Sequence, residues 1–358
     1  MNWIFTKQYG YMIKLKPHYL ILALTIFHCH VCFADNIKLG IILPLTGPIA
    51  EYGVASRNGF ELARKEHPDQ FSEIEFVYED SQYDPKLSIS AYQKLRRDPD
   101  IKVIYSWGAN PSAPLISIAE KDCFPLFAVD GSSDTFRNIS CTIAFAPTSI
   151  ELGKRLIKYI GKKNFKKLGI VSVENLYING IIDGIKNNLN SEQEIVFHET
   201  VLSTDSDFKS HIAKLKSRNI DTLGVMLYAG QISNFYKNLQ SIGYSKPTFG
   251  SDFMESRSEI KSSGSLVQGS FYAHHKISDA AYENYVNLFK DDSQVTYSGS
   301  AYDFAMMTVS LLRKEPEFYK NHLDQMSTLH GYEGVMGAYT FEETKEFGKR
   351  LYPPVDSN

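Results

Sequence analysis

Ile37-Lys38-Leu39-Gly40-Ile41-Ile42-Leu43-Pro44-Leu45 is followed at once by the turn residues Thr46-Gly47-Pro48 and then by a helical pattern that runs through Arg64. A continuous apolar run, unlike an alternating one, marks a strand buried on both faces. Strand, turn and helix in that order make the first unit of a βαβ sheet. The pattern repeats along the next hundred residues, with strands expected at 73–78, 102–107 and 125–129. Asp84-Pro85 opens the helix that ends near Arg97, with Asp as N-cap and Pro in the first turn. It then begins again. Residues 167–173, 194–201, 222–228 and 247–250 read as strands, with helices at 180–189, 208–216 and 231–242 between them and two more at 279–289 and 301–312. The expected fold is therefore α/β, with two doubly wound parallel-sheet lobes. There is no short repeat and no Pro/Gly-rich linker between the halves, which favours lobes joined by several strand crossings over beads on a string.

At 358 residues the chain has room for two cores. Apolar residues make up 43% and charged ones 22%, the balance of a folded protein. The net charge of −3 gives no basic footprint, so nucleic acid is not an expected partner. Residues 1–34 read as a secretory signal. Lys14 and Lys16 form its basic end, residues 19–27 its apolar stretch, and Cys32-Phe33-Ala34 its cleavage site. The apolar stretch is far short of the ~20 residues a membrane span needs. Met12 is an alternative start, and no lipobox precedes Cys29 or Cys32. Removal of the segment takes away three lysines and no acid, moving the net charge from −3 to −6. Cys123 and Cys141 remain, an even pair in an oxidising compartment, and are expected to form a disulfide; two buried thiols are the alternative.

Several kinds of chemistry have no motif here. The sequence lacks a Gly-x-Ser-x-Gly elbow, a Walker loop, and a Gly-x-Gly-x-x-Gly after the first strand. His274-His275 is the one tight histidine pair, and neighbours on a strand point to opposite faces, which suits a metal poorly. Neither a catalytic set nor a cofactor is expected. In doubly wound sheets ligands sit beyond the carboxyl ends of the strands. Those positions fall at 46–52, 106–112, 130–133, 175–177, 228–231 and Asp252, and are rich in hydroxyls, small residues and aromatics with one acid closing its strand. Hydroxyls and turn amides at helix starts suit a carboxylate, and an acid among aromatics suits an ammonium. Such a set can hold a zwitterion, although ordinary turn chemistry selects many of the same residues.

Ile37-Lys38-Leu39-Gly40, Pro44-Leu45-Thr46-Gly47-Pro48, Tyr52-Gly53, Asn58-Gly59, Asp80, Asp84-Pro85, Pro125-Leu126 and Ala301-Tyr302-Asp303, in that order and spacing, resemble the type I periplasmic binding proteins of the leucine/isoleucine/valine-binding family. The resemblance spans essentially all of the chain after residue 34. It implies two lobes, 35–146 with 275–336 and 147–274 with 337–358, joined by three hinge crossings near Ala146-Pro147, His274 and Gly337. It also implies a periplasmic, monomeric solute receptor for the membrane permease of an ABC importer, closing on an amino acid or a related small polar solute. A sensing module for an amide or amino acid is the alternative. By the same resemblance the ligand carboxylate would be held by the loops containing Trp107, Ala109, Asn110 and Ser112 and containing Gly131 and Ser132. Tyr177, Tyr228 and first-lobe Tyr52 would supply aromatic contacts, and Asp252 would take the ammonium. Two departures bear on the ligand. Trp107-Gly108-Ala109-Asn110-Pro111-Ser112 stands where many members carry consecutive serines, and Asp252 is a methylene shorter than glutamate.

Overall fold

The computed structural model describes residues 37–354 apart from Ser133, His274 and Glu346. The expected secretory segment lies outside the described residues, as does the residue at which the second crossing was placed. Strands β1 (Ile37–Leu43), β2 (Ile74–Asp80), β3 (Ile101–Trp107), β4 (Leu126–Val129) and β5 (Ile143–Ala144) form one parallel sheet, while β6 (Lys167–Val173), β7 (Glu194–Val201), β8 (Thr222–Met226), β9 (Thr248–Gly250) and β10 (Phe271–Tyr272) form another. The apolar run that opens the fold behaves as its composition requires: Leu39, Ile41, Ile42 and Leu43 are each 1% exposed or less. Its strand lies between β3 and β2, and β6 lies between β8 and β7, so each sheet reverses its order beside its own first strand. Ligand crevices open at such reversals.

The helices follow from local sequence. α1 (Ala50–Glu66) covers the first sheet, and α2 (Pro85–Leu95) starts where Asp84 accepts from the backbone N–H groups of Lys86 and Leu87 at 2.7 and 2.9 Å. α3 (Ala109–Ala119) follows Gly108, whose φ of +99° and contact with the Tyr83 ring exclude a side chain. In the second lobe α4 (Ser149–Lys162), α5 (Leu176–Lys186), α6 (Lys209–Lys216), α7 (Ile232–Ser241) and α8 (Arg257–Ser263) flank the sheet. The chain then returns to the first lobe through α9 (Asp279–Phe289) and α10 (Val295–Lys314). α10 lies so close to α1 that a Cβ on Gly59 would stand 2.1 Å from the Ser298 carbonyl. Its Phe304 ring joins Phe60, Tyr105, Phe127 and Phe145 in the first core. α10 begins six residues before the expected start at Ala301, and this brings Tyr297 into its first turn.

One expectation is corrected. Residues 337–358 were placed in the second lobe, but β13 (Thr340–Thr344) and β14 (Gly348–Tyr352), which follow the small hairpin of β11 (Glu333–Gly334) and β12 (Gly337–Ala338), belong to the first sheet. β14 pairs in parallel with β5 and antiparallel with β13. The cause is burial. Leu351 and Arg350 are 0% and 1% exposed, and the Arg350 guanidinium reaches the backbone carbonyls of Asp130 and Ala146, both on the first-lobe side of the expected first crossing.

Cys123 and Cys141 are disulfide-bonded across 18 residues, and the Glu120 carboxylate accepts from the N–H groups of Ser140, Cys141 and Thr142 beside the bridge. Closing a loop of that length restricts the unfolded chain by about 3 kcal/mol. Urea unfolding with and without reductant should differ by that amount; coincident curves would contradict the role. Among the described residues no helix is long and apolar enough to cross a membrane.

Candidate functional site

A small cavity, with about 70 Å³ of space open to the centre of a water molecule, opens at the carboxyl ends of β3 and β4 and faces the turn after β9. Its walls are largely aromatic, with Tyr83, Trp107, Phe145, Tyr177, Phe253 and Tyr297 contributing rings. Small volume and apolar lining with few polar groups suit a compact organic solute. First-lobe and second-lobe side chains meet across it. Tyr297, on α10, and Tyr177, at the start of α5, both donate to the Asp252 carboxylate, Tyr177 at 3.1 Å.

Asp252 is 3% exposed, and burial pushes its carboxyl up to about 6 against the opposing pull of the two phenols. Glu255, one turn further along the same short 3₁₀ segment (Asp252–Glu255), also lines the cavity and is pushed up to about 8 by burial, then by the neighbouring Asp252 charge. Two acids in an aromatic cavity stabilise a cation strongly once ionised. Lysine and arginine do not appear among the described lining residues, and His275 is the basic side chain that does. Among the described residues no cluster of histidine, cysteine and carboxylate groups could hold a metal ion.

Of the residues expected at the site, Trp107, Ala109, Gly131, Tyr177 and Asp252 line the cavity. The others are near it in different roles. Tyr52 is fully buried behind the wall, stacked on Trp107 at 5.6 Å between centroids, with its hydroxyl 3.4 Å from the Phe253 carbonyl. Tyr228 packs on Phe253 and Tyr83 and accepts from Asn175 Nδ2 at 2.6 Å. Asn110 Oδ1 accepts from the Leu176 N–H at 3.2 Å, and Asn175 also donates to Tyr83 at 3.0 Å. These contacts fasten the first lobe to the start of α5. Ser112 is bonded to Ser106 at 2.8 Å and fully buried. Ser132 pairs its hydroxyl with Thr135, its N–H with Asp130 and its carbonyl with Arg350.

Tyr83, Phe253, Glu255 and Tyr297 were missed. Tyr83 follows β2, so the rule of reading every strand's carboxyl end finds it once β2 is included. Phe253 and Glu255 adjoin Asp252 in the same turn. Tyr297 depends on where α10 starts, and the sequence around it carries no distinct signal.

A family model described as "Periplasmic binding protein" matches residues 36–352. The Leu/Ile/Val-binding protein of Citrobacter freundii is 22% identical over 248 residues, covering 67% of this chain and 68% of that one. The Leu/Ile/Val-binding protein BraC3 of Rhizobium johnstonii is 26% identical over 198 residues, covering 52% and 53%. Among solved structures, the leucine binding protein LivK of Thermotoga maritima superposes with a TM-score of 0.77 at 18% identity, over 88% of this chain and 94% of that one. A solute binding protein of an ABC transporter from R. palustris, in complex with benzoate, gives 0.76 at 18% identity over 87% and 90%. At these identities the structural likeness establishes the fold, and the differing printed ligands leave the solute open.

Proposed function

The chain belongs to the periplasmic binding protein family, and on that premise we propose that it is the extracytoplasmic receptor of an ABC importer, located in the periplasm, which closes two lobes on an amino acid or a related small polar solute and catalyses no reaction. The observation that carries this reading is the buried Asp252, set among aromatic rings and bonded to phenols from both lobes.

The geometry supports a simple cycle. The solute's cationic nitrogen pairs with Asp252 while Trp107, Tyr177 and Phe253 cover its apolar part. The Asn110–Leu176 and Tyr83–Asn175 hydrogen bonds join the lobes over it. The ligand shifts the open–closed balance only by its different affinity for the two forms. The closed form is then the one a permease would read.

A thermal-shift screen of amino acids, amides, amines and short carboxylic acids on the purified protein tests the reading. A ligand present at 100 times its Kd should stabilise the fold by about 2.7 kcal/mol. Silence across the whole panel would contradict a receptor for small polar solutes. The titration of the cavity adds a pH signature. Asp252 and Glu255 gain charge as pH rises through about 6 and about 8; Tyr177 and Tyr297 face Asp252, Tyr272 and the Arg257 charge act on Glu255, and His275 also lines the cavity. Calorimetric affinity for a cationic solute should therefore increase from pH 5 to pH 8, by up to roughly tenfold per unit below the controlling pKa. An affinity that falls over this range would exclude the acids from the contact.

A further inference from the structure

The two phenols that donate to Asp252 come from different parts of the molecule. Tyr177, at the start of α5, belongs to the same lobe as the acid and donates to Oδ1 at 3.1 Å. Tyr297 lies in the first turn of α10, in the other lobe, and donates to Oδ2. Its ring is held from its own side, edge-on to Trp107 at 5.2 Å and to Tyr52 at 5.4 Å between centroids. Tyr177 therefore travels with Asp252, whereas Tyr297 reaches the acid only where the lobes meet.

The same meeting buries the carboxyl. Asp252 is 3% exposed, and burial is the largest influence on it, raising it to about 6. The influences that oppose burial are, largest first, the Tyr297 hydroxyl, the Tyr177 hydroxyl and the backbone N–H of Asp252 itself. The other titratable groups around the acid do less for its charge. Glu255, in the same turn, carries a charge of the same sign. Tyr52 on α1 and Tyr272 on β10 are phenols whose own ionisation that charge opposes, and His275 lines the same cavity.

We infer that Tyr297, reaching across from the first lobe, is the positioning residue of the cation site: its hydroxyl fixes Oδ2 of Asp252 and offsets the cost that burial between the lobes imposes on the carboxylate's charge. The inference rests on the reading of this cavity as the ligand site. A solute's cationic nitrogen then meets an acid that is still charged near neutral pH. The sign follows directly. Without the hydroxyl, burial is less opposed, the carboxyl moves further up, and cation binding sets in at higher pH.

The proton itself is the probe. Protein labelled with carbon-13 at its aspartate side-chain carboxyls would be titrated by NMR, the Asp252 signal being the one absent from Asp252→Asn. The parent midpoint should lie near 6. Tyr297→Phe keeps the packed ring and should raise the midpoint by about one pH unit, the effect of losing a hydrogen bond to a charged group. Tyr177→Phe should raise it less. A midpoint that is unmoved or lower in Tyr297→Phe, or that rises more in Tyr177→Phe, would overturn the inference and leave the receptor reading standing. A lower melting temperature with an unmoved midpoint would mark packing alone. Should Tyr297→Phe fail to fold, Tyr297→Met removes the same hydroxyl and is judged by the same midpoint. Silence of the thermal-shift panel would contradict the receptor reading whatever the midpoints, so the two failures are told apart.

Discussion

Changing Asp252 to asparagine is expected to weaken binding of a cationic solute by roughly 30-fold to a few thousandfold. Removing one partner of a buried, hydrogen-bonded charge pair costs about 2–5 kcal/mol. The substitution keeps the shape of the side chain; its carbonyl oxygen can still accept from one of the two phenols, which bond to different oxygens of the acid, and its amide can donate to the hydroxyl oxygen of the other. Folding should therefore survive. Burial already holds this acid at about 6, so exchanging it for a neutral amide removes a desolvation penalty near neutral pH. The variant should melt no lower than the parent while binding fails. Calorimetry beside a thermal melt checks both halves, and unchanged affinity would take Asp252 out of the contact.

The second large effect is on stability. Arg350→Met should cost about 3–5 kcal/mol, the range found when one member of a buried charged network is removed. Arg350 is 1% exposed and donates to Phe347, Asp130, Ala146 and Ser132 at 2.6–3.2 Å, with its guanidinium over the Phe136 ring. Without it those carbonyls lose donors in the interior, and Asp130 loses a compensating charge. The damage falls at one spot that joins the loop after β4, Ala146 after β5, and strand β14. Denaturant unfolding gives the number. A loss under 1 kcal/mol would mean that water or a shifted backbone replaces the guanidinium.

The fold was legible because its signals are local. The apolar run at β1 could be nothing but a strand buried on both faces, and Asp84-Pro85 caps its helix as written. Residues 340–352 were not legible, because a short hairpin with charged residues at Glu342, Glu343, Lys349 and Arg350 has no buried-strand pattern. What holds the buried Arg350 is a set of carbonyls from the segments after β4 and β5 and from the turn before β14. The site divides along the same line. Asp252 and Trp107 could be read from their places at strand ends. Ser112 and Ser132 could not, since whether a hydroxyl faces a ligand depends on Ser106 and Thr135 lying within reach. Hydroxyl-rich loops suggested a carboxylate site, and the folded chain satisfies those hydroxyls internally.

Trp107 offers the most direct test of the central claim, that a small solute binds between the lobes beside Asp252. The chain has two tryptophans, and the other, Trp3, lies in the expected secretory segment. In protein without residues 1–34, emission therefore reports on Trp107 alone, a residue of the cavity wall. Titration with a solute that calorimetry shows to bind should change this emission saturably, with the same Kd, and the change should be lost in Asp252→Asn. Calorimetric binding that leaves Trp107 emission unaltered, and that survives Asp252→Asn, would place the solute elsewhere and contradict the account.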